Sequence, residues 1–321
     1  MTKRLLIAFL MVCGCVTLAR AASYPTRPIT LIVPFAAGGP TDTLARSLAQ
    51  PLSKSLGQSV VIEDVSGAGG SIGVERVVRA APDGYTVVLG NWSTNVLNGA
   101  IYDLHYDLLK DLEPVALLPS SPQFIVSKNS VPAKNLRELM DWLKANKAVI
   151  GTAGIGSAGH VSGLLFQNVT GIPMSFVPYR GAGPAMLDLL GGHIDVMFDQ
   201  ASNSLPAVRA GKIKAYAVTS ATRLAAAPDI PTVEEAGLPH FYVSVWHGLW
   251  VPKGTPADIV SKLNAAVVKA LADPSLQKHF ADLGQDEPKG DQLSPAALGA
   301  LQKTEINKWW PILKQAHVKS E

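Results

Sequence analysis

The chain has 321 residues, of which 47% are hydrophobic and 17% are charged, as in a folded globular protein with room for one large or two ordinary domains. Its formal net charge of +3 comes from 28 basic and 25 acidic residues. Three of the basic residues, Lys3, Arg4 and Arg20, precede position 23, so the rest of the chain is balanced. This balance argues against a basic surface for nucleic acid.

The N-terminus has the pattern of a secretory signal peptide. Lys3 and Arg4 precede an uncharged apolar stretch, and the small residues Ala21 and Ala22 follow it. The apolar stretch is short for a membrane span. The pattern predicts a signal peptide over residues 1–22, cleaved after Ala21 or Ala22, and a soluble mature protein that is exported.

Both cysteines lie in this predicted signal, at Cys13 and Cys15. The mature chain would therefore have no disulfide, thiolate or zinc–cysteine chemistry. The run Val12-Cys13-Gly14-Cys15 loosely resembles a lipoprotein processing site, so lipidation at Cys15 stays open as the less favoured alternative to a cleaved apolar segment.

A glycine turn follows the first apolar run. Residues 29–33 predict a strand, residues 34–42 contain Gly38 and Gly39, and leucines at helical spacing come next. Glycines let backbone N–H groups approach a ligand, and the unpaired amides of the following helix point to the same place, which favours an anion site. The alternative is an ordinary strand-to-helix connection with Thr41 as the N-cap.

Strands and helices alternate from there on, which predicts an α/β protein with a largely parallel sheet. The second and third strands are expected at 60–65 and 85–90. Pro51 is expected to kink or end the first helix. Short strands are expected at 115–118 and 124–126, on either side of a crossing between lobes that Pro119 and Pro122 mark.

The strand–glycine–helix pattern recurs in the second half of the chain. A buried strand at 149–153 leads into residues 154–160, Gly-Ile-Gly-Ser-Ala-Gly-His. Two lobes that each present a glycine loop at a strand end describe a cleft. The predicted boundaries are 23–120 for the first lobe, 121–244 for the second, and 245–321 for a return that completes the first lobe with C-terminal helices.

Other motifs point less well to a function. Residues 67–73 resemble a dinucleotide fingerprint, but the spacing is wrong and no acidic residue ends the next strand. Ser157, His160 and Asp199 could form a hydrolase triad, but a nucleophile elbow requires glycine where Ile155 stands. No spacing suggests a metal site. We therefore assign no catalytic residue, metal or cofactor.

Asp199 ends an apolar strand, where open α/β sheets bind ligands. A carboxylate cannot pair with an anionic ligand except through an ammonium group, a hydroxyl or a bridging water. Its alternative role is to cap the helix that starts near Ser202. Arg180 could supply a positive charge or lie in a solvated turn.

Several motifs, in one order along the chain, closely resemble the Bug family, the extracytoplasmic solute receptors of tripartite tricarboxylate transporters. Besides the signal sequence, they are the runs 24–29, 33–42, 67–70, 82–85, 177–181 and 191–199. The resemblance covers essentially the whole mature chain. It implies a type II periplasmic-binding-protein fold, in which two α/β lobes close on a ligand in the cleft between them.

The resemblance also implies that two facing loops, 35–42 and 154–160, recognise a small organic carboxylate through backbone amides and ordered water. The residues expected to bind the ligand are Phe35, Ala36, Gly38, Gly39, Thr41, Asp42, Trp92, Ser93, Thr94, Gly156, Ser157, Ala158, His160, Tyr179 and Asp199, with Tyr179 a weaker candidate.

The function implied is capture of the carboxylate by closure of the lobes and its delivery to the membrane subunits of a tripartite tricarboxylate-type transporter. A monomer without a cofactor is expected. Two alternatives remain: a periplasmic sensor that signals to a membrane kinase, and a periplasmic hydrolase that uses Ser157, His160 and Asp199.

Overall fold

A computed structural model describes residues 24–315 and Val318. The predicted signal peptide, with Cys13 and Cys15, lies outside these residues. The strands are β1 (Ile29–Val33), β2 (Val60–Asp64), β3 (Thr86–Asn91), β4 (Leu112–Lys128), β5 (Val149–Thr152), β6 (Ser175–Pro178), β7 (Val196–Gln200), β8 (Ile213–Val218) and β9 (Ser244–Pro252). The helices are α1 (Pro40–Leu56), α2 (Ser71–Val78), α3 (Asn98–Ile101), α4 (Leu136–Ala145), α5 (Ala158–Thr170), α6 (Ala182–Gly191), α7 (Ala201–Arg209), α8 (Ala257–Leu271), α9 (Pro274–Asp282) and α10 (Pro295–Gln315).

The strands divide between two lobes. In the first lobe the order is β2-β1-β3-β9-β4, with β1 parallel to β2 and β3, and β9 antiparallel to β3 and β4. In the second lobe β5 lies between β6 and β7 in parallel, and β7 and β8 each pair antiparallel with β4. Parallel strands joined by helices place the strand ends and helix starts of each lobe along one edge.

Strand β4 belongs to both lobes. Residues 112–122 pair with β9, and residues 123–128 pair with β7 and β8. The expectation of two separate short strands is therefore wrong, since one 17-residue strand crosses between the lobes. Its prolines are tolerated because the register with β9 shifts near them, between Pro114 and Ala116 and between Leu118 and Ser120.

Helix α1 covers one face of the first sheet. Its buried residues Leu44, Leu48 and Leu52 pack in one core with strands β1 and β9 and helix α8. The expected early end at Pro51 is wrong, because α1 continues to Leu56 and ends at the left-handed Gly57. We attribute this to burial of Leu52 and Leu56, which offsets the hydrogen bond that proline cannot donate.

The opposite face of the first sheet is covered by α2, by residues 93–97, which form a π-helical turn, and by α10. Trp246, Trp250 and Trp309 are buried in this core. Among the described residues, no helix is long and apolar enough to cross a membrane.

Candidate ligand-binding site

A small cavity lies between the two lobes, where strands end and helices begin. Its free volume is about 30 Å³, enough for about two water molecules. It is lined by Phe35, Gly39, Pro40, Thr41, Asn91 and Ser93 of the first lobe and by Gln123, Thr152, Ala153, Ser157, Ala158, Gly159, Ala182, Met197, Phe198, Asp199 and Gln200. The free space between the lobes at this site is therefore small.

Four helices begin at the wall of the cavity. Pro40 of α1, Ala158 of α5 and Ala182 of α6 are first helical residues, and Gln200 is the N-cap of α7. The amides of Ala158 and Gly159 have no hydrogen-bond acceptor among the described residues. Unpaired amides and the positive ends of four helix dipoles make this a favourable environment for an anion.

The first lobe adds a polar cluster. The Asn91 side-chain oxygen accepts hydrogen bonds from Ser93 N at 2.9 Å and Ser93 Oγ at 2.8 Å. Its nitrogen lies 3.5 Å from Thr41 Oγ1, and His247 Nε2 lies at the same distance from that oxygen. His247 is fully buried, its Nδ1 lies 3.0 Å from Pro119 O, and burial lowers its pKa to about 4. The imidazole is therefore neutral and fixes Thr41 without adding charge.

Two glutamines on neighbouring strands face the cavity, Gln123 on β4 and Gln200 on β7. Gln123 and Gln200 are directly paired in the antiparallel register, and they are 1% and 6% exposed. The side-chain oxygen of each has no hydrogen-bond partner among the described residues. A buried polar atom without a partner is costly, so these two amides are suited to a polar ligand or to the water around it.

Asp199 is the only ionisable residue in the lining of the cavity. Its Oδ2 accepts hydrogen bonds from Ser204 Oγ at 2.5 Å and from Asn203 Nδ2 at 2.7 Å, both in α7. Burial raises its pKa to about 6, although these hydrogen bonds oppose the shift. Asp199 thus orders the start of α7, and because its pKa is raised it takes up a proton beside an anion more readily than an exposed aspartate would.

Direct contacts hold the lobes together beside the cavity. Ala36 N donates to Arg180 O at 2.9 Å, and Tyr102 Oη donates to Ile155 O at 2.7 Å. Gly183 approaches the first glycine loop so closely that a Cβ there would lie 2.7 Å from Ala37 O. Backbone from each lobe therefore forms the closed edge of the cleft.

Of the residues that the sequence singled out, seven line the cavity: Phe35, Gly39, Thr41, Ser93, Ser157, Ala158 and Asp199. Tyr179 lies in a neighbouring cavity, and its hydroxyl donates to Asp188 at 2.5 Å. Burial is the main reason that its pKa rises to about 12. The other seven lie close by in supporting positions.

Three of these supporting residues shape the first glycine loop. Asp42 accepts a hydrogen bond from Gly38 N at 2.8 Å and forms an ion pair with Arg46 at 2.8 Å. Ala36 makes the contact to the second lobe described above. Asp42 and Gly38 therefore fix the loop conformation that places Gly39 and Thr41.

Trp92 and Thr94 are buried behind the cavity. The Trp92 ring packs edge-on against Trp309 at 4.9 Å, within the core of the first lobe. Thr94 Oγ1 donates to Asn95 Oδ1 at 2.7 Å inside the π-helical turn. Both residues support the wall that presents Asn91 and Ser93.

Gly156 and His160 complete the second loop. Gly156 has a positive φ of 74° and donates its N–H to His160 Nδ1 at 3.2 Å, while His160 N donates to Ser157 Oγ at 3.4 Å. Burial lowers the pKa of His160 to about 4. Among the described residues no hydrogen bond joins the His160 ring to Ser157 Oγ or to Asp199, so these three side chains do not form a catalytic triad in this structure.

The set of ligand-binding residues expected from the sequence did not include Asn91, Gln123 or Gln200. Two signals were available: Asn91 and Gln200 each end an apolar strand before a helical turn, and Gln200 immediately follows Asp199. Gln123 gave no local signal, because its place at the cavity depends on pairing with β7. Across the described part of the chain, no group of three His, Cys, Asp or Glu residues could hold a metal ion.

Comparison with known proteins identifies the family. A family model described as "Tripartite tricarboxylate transporter family receptor" matches residues 44–318. The chain belongs to this family. The resemblance inferred from the motifs is thus confirmed, and family members are periplasmic solute-binding receptors rather than enzymes.

Solved structures of receptors in this family superpose on nearly the whole chain. The periplasmic binding protein BugD matches with a TM-score of 0.89 and 40% identity, covering 92% of this chain and 100% of BugD. MatC from Rhodopseudomonas palustris, with bound malate, matches with a TM-score of 0.87 and 40% identity, covering 90% of this chain and 100% of MatC. Rpa4515 from the same organism, with adipate, matches with a TM-score of 0.88 and 33% identity, covering 92% of this chain and 100% of Rpa4515. The predicted periplasmic-binding-protein fold is therefore confirmed.

Proposed function

We propose that this receptor binds a small organic carboxylate in the cavity between its lobes and delivers it to the membrane subunits of a tripartite tricarboxylate-type transporter. The observation that carries the proposal is the convergence of four helix N-termini on a cavity whose lining contains no lysine, arginine or histidine. Backbone amides, rather than ion pairs, would then bind the carboxylate.

Two relatives support an organic acid as the ligand, since MatC has malate bound and Rpa4515 has adipate. Closure of the lobes would remove water from the anion and strengthen its hydrogen bonds. Ligand binding would need to favour the closed state by only a few kcal/mol to shift the population strongly. We also propose that the chain is exported to the periplasm and acts as a monomer.

The test is a thermal-shift screen of residues 23–321 against organic acids and their uncharged amides or esters. A ligand present at about 100 times its Kd should stabilise the protein by nearly 3 kcal/mol. We expect stabilisation by one or more acids and none by the uncharged analogue of each. Stabilisation by the uncharged compounds alone would contradict an anion site.

A matched pair of variants tests the role of the backbone amides. Ala158→Pro removes the first N–H of α5 at a position that accepts proline, since Ser157 before it has φ −63° and ψ 159°. We expect affinity for the acid to fall at least about tenfold, because a hydrogen bond to a charged group is lost, with the melting temperature nearly unchanged. Ala257→Pro, at the same position of α8, is the control. Equal affinity of both variants would exclude the Ala158 amide from binding.

A further inference from the structure

A second cavity lies beside the first in the cleft between the lobes. Its free volume is about 220 Å³, and it shares Phe35 and Ala153 with the first cavity. The glycine loop 67–70 and Tyr102 line it from the first lobe, and residues 178–180 line it from the second. It is therefore larger than the cavity at the helix N-termini and belongs to the same cleft.

Phe35 forms part of the partition between the two cavities. The side chain is only 7% exposed and follows β1 directly. Its ring reaches the glycine loop, since a Cβ at Gly70 would lie 3.3 Å from Phe35 Cζ. Gly70 has a φ of 93°, a conformation that favours glycine, and this brings the loop backbone close to the ring. The Phe35 side chain is thus a wall that both cavities share.

The second cavity has a cation that the first lacks. Arg180 lines it and is exposed, and its guanidinium has no hydrogen bond or ion pair with any residue in the described part of the chain. In contrast, Arg46, Arg76 and Arg223 are paired with acidic residues. Asp188, an acidic residue of α6, accepts the Tyr179 hydroxyl. The free guanidinium is thus available to an anionic group of a ligand.

We propose that the second cavity is a subsite for the far end of a longer dicarboxylate, that Phe35 sets the permitted chain length, and that Arg180 binds the second carboxylate. This inference depends on the proposed function, because the first carboxylate occupies the cavity at the helix N-termini. A dicarboxylate of four carbons is too short to reach Arg180, whereas one of six to eight carbons extends past Phe35 to Arg180.

The charge part of the proposal is tested by calorimetric titration with succinate, adipate, suberate and the monoacids hexanoate and octanoate. We expect Arg180→Gln to weaken binding of adipate and suberate about fivefold, the upper range for an exposed ion pair, and to leave succinate and the monoacids unchanged. Arg180→Lys should restore part of the loss. The matched control is Arg137→Gln, because Arg137 is also exposed and has no ion-pair partner among the described residues.

The length part is tested with Phe35→Leu and Phe35→Ala. Both should raise the affinity for suberate relative to succinate, and alanine more than leucine, because more of the partition is removed. If the alanine variant does not fold, the leucine variant still gives the ratio. Two results together would overturn the subsite and leave the proposed function standing. The ratio of suberate affinity to succinate affinity would be the same in the wild type and in the folded Phe35 variants, and Arg180→Gln would bind adipate and suberate as well as Arg137→Gln does. Binding of none of the acids by the wild type would instead contradict both.

Discussion

Asp199 and His247 are buried and His160 is half-buried, and desolvation shifts the pKa values of all three. The shift of Asp199 and the shifts of the two histidines have opposite effects on how stability depends on pH. The pKa of Asp199 rises to about 6, so ionising it between about pH 4 and pH 6 destabilises the folded state. Burial lowers the pKa of both histidines to about 4, so between pH 6.5 and 4 only the unfolded chain gains their protons, and stability is lost as the pH falls. Two histidines outweigh one aspartate.

We therefore expect these groups to make the free energy of unfolding rise with pH from about 4 to 6, by roughly 1.4 kcal/mol per pH unit. Asp199→Asn should steepen the rise and His247→Gln should flatten it. Urea unfolding of the wild type and both variants at pH 4, 5, 6 and 7 measures the difference. Parallel curves for all three proteins would show that neither group changes its protonation on folding.

Residues whose role is local were predictable from the sequence, and those that depend on distant contacts were not. Ser157 was predicted at a helix start and caps α5, because the glycines and the helical spacing lie within a few positions. Gln123 and Gln200 meet only through antiparallel pairing of β4 and β7. Trp92 was expected to bind the ligand, and its ring lies in the core against Trp309.

At the scale of elements, helix α6 forms part of the closed edge of the cleft. Gly183 lies in its first turn, and a Cβ there would be 2.7 Å from Ala37 O and 2.8 Å from Gly38 C, both in the opposite lobe. These are backbone atoms, so they cannot rotate away as a side chain would. Only separation of the lobes could relieve the contact.

Gly183→Ala should therefore hold the lobes slightly open. We expect weaker binding of the carboxylate together with an unchanged or higher melting temperature, because alanine favours a helix by up to about 1 kcal/mol over glycine. Calorimetry and small-angle scattering measure the two effects. Gly191→Ala on the same helix is the control, since a Cβ there meets only the His193 ring. Full affinity in Gly183→Ala would mean that binding does not require this contact.

The order of elements was largely predictable, because apolar runs, glycine turns and helical spacing are local signals. The start of α4 shows such a local signal: the Asn135 side-chain oxygen accepts from Glu138 N, and Glu138 accepts from the Asn135 side-chain nitrogen. The long strand β4 was not predictable in the same way. Its three prolines suggest breaks, and only pairing with β9, with its two register shifts, keeps the strand continuous.

At the scale of the whole molecule, the lobes are joined through strand β4, which pairs with strands of both sheets. β9 lies between β3 and β4, so it completes the first sheet, and β4 continues from that sheet into the second. Closure can then occur by a twist of the crossing strands while the sheet of each lobe is retained. A ligand would shift this equilibrium rather than create a new fold.

The position of β9 also has a consequence for the order of folding. In the first lobe Val88 pairs with Trp250, so β3 has no partner on that side until most of the chain is present. The second lobe uses one continuous segment, from the latter half of β4 to β8. Because closing a longer loop costs more entropy, we expect the second lobe to form first.

Refolding followed by pulsed hydrogen exchange measures this order directly. Amides of β5 and β7 should become protected before those of β3, and simultaneous protection would contradict the sequence of events. Until β9 docks, β3 presents an unpaired strand edge, which other chains could pair with. The same connectivity that allows the lobes to close on each other thus also leaves the first lobe prone to aggregation until β9 pairs with β3.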